Sequence, residues 1–259
     1  MPRALVTNDD GIDSPGLHAL AAAAVSAGLE VIVAAPAEQS SGAGAALTAT
    51  RREGRTVVTR RELPGLDGVE TWAVEAQPGH IVVAALNGWF DPAPDVVLSG
   101  INHGANVGRA VLHSGTVGAA LTAGISDVRG LAVSLDVALH PTGERHWESA
   151  TAVLPPVLEL LLDSPEGTVL SLNVPDRPVA ALRELREARL ARFGVVQVCV
   201  AHRIGGSGAG GLHATVGELE DPPEPGTDAA LLAAGHPTLT ELTPLRERIG
   251  VLERLELGG

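Results

Sequence analysis

The sequence predicts an α/β fold built on a mostly parallel sheet, and three observations carry that prediction. Short apolar runs alternate with helix-length segments of small and aliphatic residues through the first 175 positions. The first strand, helix and second strand follow one another at the spacing of a right-handed βαβ unit. Several apolar runs stop abruptly at Pro, Gly, Asn or Asp, as buried strands do where they meet a loop.

The elements can be justified in order. Ala4 to Thr7 is a buried strand ending in Asn8-Asp9-Asp10-Gly11. Ser14 caps a helix whose first turn holds Pro15, whose apolar face carries Leu17, Leu20 and Ala24, and which Gly28 closes. Glu30 to Ala35 is the second strand, ended by Pro36, and residues 37–50 form a loop of Gly, Ala, Ser and Thr. Thr56 to Thr59 and Thr71 to Glu75 read as short strands, and Pro78 to Trp89 as a helix. Val96 to Ser99 is a third buried strand, ending in Gly100-Ile101-Asn102. A small-residue helix follows over Ser114 to Ile125, then a strand over Leu131 to Leu135 that again meets an acid, Asp136. His146 to Leu162 is a helix that Pro155-Pro156 should kink or break. Thr168 to Val174 is a fifth strand, stopped by Pro175.

Beyond residue 176 the pattern changes, which divides the chain into residues 1–175 and 176–259. Residues 183–202 and 212–219 read as strands around a glycine-rich tip, Gly205 to Gly211. That tip matches a dinucleotide-binding glycine pattern but has no helix after it, so a hairpin turn fits its context better. Asp221 to Gly226 is a rigid connector, Thr238 to Thr243 a strand, and residues 244–256 a last helix.

Composition narrows the function. Hydrophobic residues make up 45% of the 259 positions, yet the chain has 2 Phe, 3 Trp and no Tyr. The core must therefore be Ala, Val and Leu, and flat surfaces for stacking nucleobases are few. The net charge is -13, and every basic residue is Arg. Without a basic run, binding to a nucleic-acid polymer is disfavoured, whereas a small phosphorylated substrate is compatible if a metal supplies positive charge. The single cysteine, Cys199, lies in an apolar alternation and reads as a buried small residue. No signal peptide and no membrane-length apolar run is evident, so a cytoplasmic location without membrane contact is expected.

The residues that carry chemistry fall at successive strand ends: Asp9 and Asp10; Gln39 to Gly42; Asn102, His103, Asn106 and Gly108; and His113-Ser114-Gly115-Thr116. In a parallel sheet these ends share one edge, so the four groups converge. Two adjacent carboxylates repel each other, and with a hydroxyl and an amide oxygen they form an all-oxygen site suited to a hard divalent cation rather than zinc. Ser114 to Thr116 at a helix start offers N–H groups and hydroxyls to an anion. A metal beside an anion site is the equipment of phosphate-ester hydrolysis. Taken singly, Asp-Asp-Gly is a common turn, Ser114-Gly-Thr an ordinary cap, and His103 and His113 ordinary solvated histidines. Their joint placement favours chemistry. The first strand does not end in Asp-x-Asp, which argues against an aspartyl-phosphate intermediate.

Leu5-Val-Thr-Asn-Asp-Asp-Gly11, Ala35-Pro36 with Ser41-Gly42, Ser99-Gly-Ile-Asn102 with Gly104, Asn106 and Gly108, and Ser114-Gly-Thr-Val117 together resemble the SurE survival-protein family. The match runs on through Leu131-Ala-Val-Ser-Leu135, Leu172-Asn-Val-Pro175, Gly226-Thr-Asp228 and Thr243-Pro-Leu245. Departures fall at Pro78-Gly-His-Ile81, at Gly205 to Gly211 and at Gly235-His236.

The resemblance implies a Rossmann-like three-layer N-terminal part and a C-terminal β-rich part used for oligomerisation and the pocket rim, giving a homodimer or homotetramer. It implies one divalent cation per subunit (Mg²⁺, Mn²⁺ or Co²⁺) on Asp9, Asp10, Ser41 and Asn102, with Asp9 and Asp10 catalytic and phosphate contacts at Asn106, Ser114, Gly115 and Thr116. The implied activity is a metal-dependent phosphomonoesterase acting on nucleoside 5′(3′)-monophosphates. The alternatives are a phosphatase for other small phosphates, such as short polyphosphate, and a non-catalytic sensor of phosphorylated ligands.

Overall fold

A computed structural model describes residues 1–40, 42, 44–192, 222–245, 247 and 249 in full, and residues 196–204 and 211–218 as backbone. In chain order the first half comprises β1 (Arg3–Thr7), α1 (Pro15–Ser26), β2 (Glu30–Pro36), β3 (Arg51–Arg52), β4 (Arg55–Thr56), β5 (Val58–Arg60), β6 (Glu70–Val74), α2 (Pro78–Ala84), β7 (Val96–His103) and α3 (Gly115–Gly124). There follow β8 (Arg129–Asp136), α4 (Trp147–Asp163), β9 (Val169–Pro175), β10 (Arg186–Glu187), β11 (Val196–Ile204), β12 (Gly211–Glu218), α5 (Asp228–Ala233) and β13 (Thr238–Leu242).

Nine strands form one sheet in the order β10-β13-β9-β8-β7-β1-β2-β6-β5. From β9 to β6 every neighbouring pair is parallel, while β13 and β5 add on antiparallel and β10 pairs in parallel with β13 at the edge. The chain runs outward from β1 to β2 and β6, then returns to place β7 on the other side of β1. Between β1 and β7 the winding direction reverses, which opens a crevice at the carboxyl edge.

Alternation along the strands covers both faces of this sheet. Ala4, Val6, Val31, Val33, Leu98 and Val133 pack with α1 and α4 through Leu17, Leu20, Leu154 and Leu161. Leu5, Ile32, Ala34 and Val97 face the other way, onto Ile81 and Val82 of α2 and Ala119 and Ala123 of α3. The result is a three-layer, Rossmann-like α/β fold. Helix α3 owes its small residues to its place in this sandwich: all but Leu121 are buried. A Cβ on Gly118 would come within 2.5 Å of the Gly44 backbone.

Local signals explain the helix ends. Ser14 Oγ accepts from the Leu17 N–H at 3.2 Å, and Ser114 Oγ from the Val117 N–H at 3.1 Å; each such cap contributes about 1 kcal/mol. Three expectations need correction. Helix α4 runs unbroken through Pro155 and Pro156. An interior proline costs ~3 kcal/mol, but Leu154, Val157, Leu158 and Leu161 are all buried against the sheet, at roughly 2 kcal/mol each, and that burial wins. The α-helical part of α2 ends at Ala84 and a wider helical turn carries on over Ala85–Trp89, within which Asn87 (φ -110°) and Gly88 (φ 98°) leave helical geometry, with Asn87 Nδ2 donating to Val83 O at 2.8 Å. The strand expected from residue 183 is reduced to Arg186–Glu187, and the next strand begins at Val196. Between them the backbone is taken by other partners: Ala188 N–H donates to Leu239 O and Arg189 N–H to Gly226 O.

Strands β11 and β12 pair antiparallel as a separate two-stranded ribbon. The tip between them, the Cys199 side chain and most of the expected last helix lie outside the described residues. Among the described residues no helix is long and apolar enough to cross a membrane.

Candidate functional site

The crevice between β1 and β7 collects the residues that the sequence places at strand ends. Asp9, Asp10, Gln39, Gly42, Asn102, His103, Asn106, Ala110, His113 and Ser114 line one cavity of about 260 Å³. Gly115 and Thr116 stand behind it, against Asp9. Ser41 lies outside the described residues. Of its neighbours, Ser40 donates its N–H to Asp9 O at 2.7 Å, and Gly42 lines the cavity.

The turn after β1 is fixed by a side chain that takes no part in the cavity. Asn8 is fully buried; its Oδ1 accepts from the Gly11 N–H at 3.2 Å, and its Nδ2 donates to Gly11 O at 3.0 Å and to Ser14 Oγ at 2.9 Å. This knot ties the Asp9-Asp10 turn to the cap of α1. Asp9 is 5% exposed, and one of its oxygens accepts from the Thr116 hydroxyl. Asp10 accepts from the His103 N–H at 2.9 Å and from Gln39 Nε2 at 3.4 Å. The start of α3 lies so close to Asp9 that a Cβ on Gly115 would sit 2.8 Å from the Asp9 Oδ2.

Strand β7 delivers Asn102 through an irregularity in its pairing with β8 between Ser99 and Asn102. Gly100 has φ 137°, and a Cβ there would lie 2.2 Å from Val133 O, so glycine is required. Asn102 commits its Nδ2 to Gly104 O at 2.7 Å, which leaves its Oδ1 as the acceptor or ligand atom. Asn106 is held from three directions. Its N–H donates to Asn173 Oδ1 at 2.8 Å, its Nδ2 to Ser134 Oγ at 2.9 Å, and its carbonyl accepts from Asn173 Nδ2 at 3.0 Å. Two residues on, Gly108 N–H donates to Asp228 Oδ2 at 2.7 Å, while Asp228 Oδ1 accepts from the N–H groups of Ala191 and Ala229, each at 2.8 Å. Asp228 is 1% exposed, so helix α5 fixes the loop that carries Asn106.

The positioning roles of Asn173 and Asp228 are not evident in the sequence read alone. A buried-strand run interrupted by Asn just before its end, Leu172-Asn173-Val174, is the signal that points to one of them. Trp147, the first residue of α4, also reaches this edge, its ring 6.2 Å from that of His103.

The electrostatics favour a cation. Burial pushes the Asp9 carboxyl above its ordinary range; the Thr116 hydroxyl pulls it back, and the Asp10 charge adds to the rise. Burial likewise raises Asp10, with the His103 N–H and ring opposing it. No arginine is among the described residues that line the cavity. A buried Asp9 beside a half-buried Asp10, mutually repelling and with no arginine among the described residues lining the cavity, fits a hard divalent ion. Among the described residues no group of three or more His, Cys, Asp and Glu is placed to hold a metal ion; the oxygen-bearing side chains of Asp9, Asp10 and Asn102 line the cavity together.

Comparison with known proteins identifies the family. The family model "Survival protein SurE" matches residues 4–197. The 5′-nucleotidase SurE of Aeromonas hydrophila is 35% identical over 249 residues, 93% of this chain and 92% of that protein. That of Laribacter hongkongensis is 41% identical over 192 residues, 73% and 72% of the two chains. The crystal structure of the SurE protein from Aquifex aeolicus superposes with a TM-score of 0.78 at 26% identity, covering 97% of both chains.

Proposed function

The chain belongs to the survival protein SurE family, and from that premise we propose that it is a divalent-metal-dependent phosphomonoesterase that hydrolyses nucleoside monophosphates to nucleoside and phosphate. The observation that carries this reading is the cavity between β1 and β7, where Asp9, Asp10 and Asn102 share a wall with Ser114 at the start of α3. Oxygen side chains suited to a cation and a helix start suited to an anion line the same small space.

Asp9, Asp10, Ser41 and Asn102 would hold one Mg²⁺, Mn²⁺ or Co²⁺. When bound, such an ion lowers the pKa of a coordinated water and offsets charge on phosphoryl oxygens. The remaining work falls to the chain. The Thr116 hydroxyl and the close approach of Gly115 hold Asp9 in one orientation. The His103 N–H holds Asp10. Asn106, the Ser114 hydroxyl and the backbone N–H groups of the Ser114–Thr116 turn are offered to the phosphate, the Thr116 hydroxyl being taken by Asp9, and the dipole of α3 points its positive end there. Residues 1–175 supply this chemistry. Residues 176–259 serve the rim and assembly into a homodimer or homotetramer, in keeping with a β11–β12 ribbon that pairs apart from the main sheet. The site opens to solvent, which suits a cytoplasmic enzyme acting on small diffusible substrates.

The test is phosphate release from a panel of nucleoside monophosphates, glycerophosphate and short polyphosphate, with Mn²⁺, Mg²⁺ or Co²⁺ and with excess chelator. Release that is undiminished by chelator would defeat the metal reading. Polyphosphate as the best substrate would favour a broader phosphatase, and tight nucleotide binding without release a sensor.

A further inference from the structure

A second cavity, of about 600 Å³, adjoins the first and shares Asp10, Gln39 and His103 with it. Its lining also includes the apolar Ile12, Pro15 and Ala37 together with Trp147. Trp147 is half-buried and opens α4, so the helix fixes its backbone. The other two tryptophans, Trp72 and Trp89, pack against the core cluster that includes α2, 6.2 Å from each other. In a chain with no tyrosine, Trp147 is thus the tryptophan at the site. The volume lies within the usual range of ~300–1,000 Å³ for a small-molecule pocket.

The charge of this second cavity is as telling as its shape. Asp10, Asp13 and Glu38 are in its lining, and no arginine is among the described residues there. Arg61 pairs with Asp13 at 2.6 Å from outside that lining. Such a lining suits a neutral planar group, which a tryptophan ring can stack, better than a tail of further phosphates, which the carboxylates would repel.

We propose that this cavity is the leaving-group subsite, in which the base of a nucleoside monophosphate stacks on Trp147 while the phosphate sits among Asp9, Asp10 and Ser114. Trp147 is then a specificity-determining residue, and the subsite selects nucleotides over polyphosphate. The proposal rests on the phosphatase reading above.

The experiment has two arms. Adenosine, which carries no phosphate, is titrated while tryptophan emission is followed in wild type, Trp147→Leu and Trp147→Phe. AMP and β-glycerophosphate hydrolysis with Mn²⁺ is measured in the same proteins. Adenosine should quench wild-type emission and leave Trp147→Leu unchanged. KM for AMP should rise about tenfold in Trp147→Leu, the scale of a lost base–aromatic stack, with kcat largely kept. Trp147→Phe should recover most of the KM, and β-glycerophosphate should be indifferent to all three. Equal losses on both substrates, or quenching that survives in Trp147→Leu, would overturn the subsite. If Trp147→Leu does not fold, absence of adenosine quenching in wild type overturns it alone, and its presence with retained AMP affinity in Trp147→Phe supports it. Quenching in a wild-type protein that cleaves no phosphate ester would keep the subsite and overturn the phosphatase reading instead.

Discussion

Gly115→Ala tests whether the first turn of α3 sets the position of Asp9. The added Cβ would lie 2.8 Å from both Cβ and Oδ2 of Asp9 and 3.1 Å from its Cγ. Ordinary contact begins near 3.4 Å, so the carboxylate must retreat by roughly half an ångström. It has little room to do so, being 5% exposed and bound to the Thr116 hydroxyl. Overpacking of this kind costs about 1–3 kcal/mol. Alanine's helix propensity returns at most about 1 kcal/mol, so the clash outweighs it. At ~2–4 °C per kcal/mol for a chain of this size, Tm should fall by about 2–8 °C. The effect on chemistry should be larger, because a misplacement approaching 1 Å can cost about 10²-fold. Thermal melts with and without Mn²⁺, together with kcat/KM on AMP, measure both. Activity within twofold of wild type and an unchanged Tm would refute the idea that α3 positions the carboxylate.

Asp9→Asn should abolish metal-supported hydrolysis and also the rise in Tm that Mn²⁺ gives the wild type, a readout independent of turnover; a variant that still gains stability from Mn²⁺ would remove Asp9 from the ligand set. Asp228→Ala leaves the N–H groups of Gly108, Ala191 and Ala229 without their acceptor; a loss of about 3 kcal/mol or more in denaturant melts is expected, with weaker nucleotide binding as the Asn106 loop loosens. Burial raises the Asp136 pKa above its usual 3.8, with Arg177 opposing and Asp176 adding to the rise. The folded protein therefore holds this proton after the unfolded chain has released it, so Asp136 subtracts stability as pH rises through the folded value. The Tm advantage of Asp136→Asn over wild type should accordingly grow from acid toward neutral pH; an advantage that shrinks would mean that Arg177 outweighs burial.

Local chemistry explains which features could be read without coordinates. Ser14-Pro15 and Ser114-Gly115 announce helix starts because capping is decided within a turn, and both caps form. The break that Pro155-Pro156 signals does not occur, for the opposite reason: its local cost is real, but four buried side chains on the same helix outweigh it. Asn87-Gly88 carries a legible stop signal that an apolar run conceals.

The sequence alone determines that Asp9, Asp10, Asn102, Asn106 and Ser114 belong to strand ends and a helix start. Buried strands stop at polar residues, and parallel connections return every such end to one edge. Which of them meet is decided only by tertiary structure. The chain reverses its winding between β1 and β7, and that reversal opens the cavity that joins Asp9 to Asn102. The supports are just as distant: Asp228 grips Gly108 from 120 residues away, Asn173 grips Asn106 from 67, and α4 brings Trp147 to His103. These contacts have no sequence period or spacing, because a hydrogen bond across a packed core depends on the path of the chain and not on its local propensities.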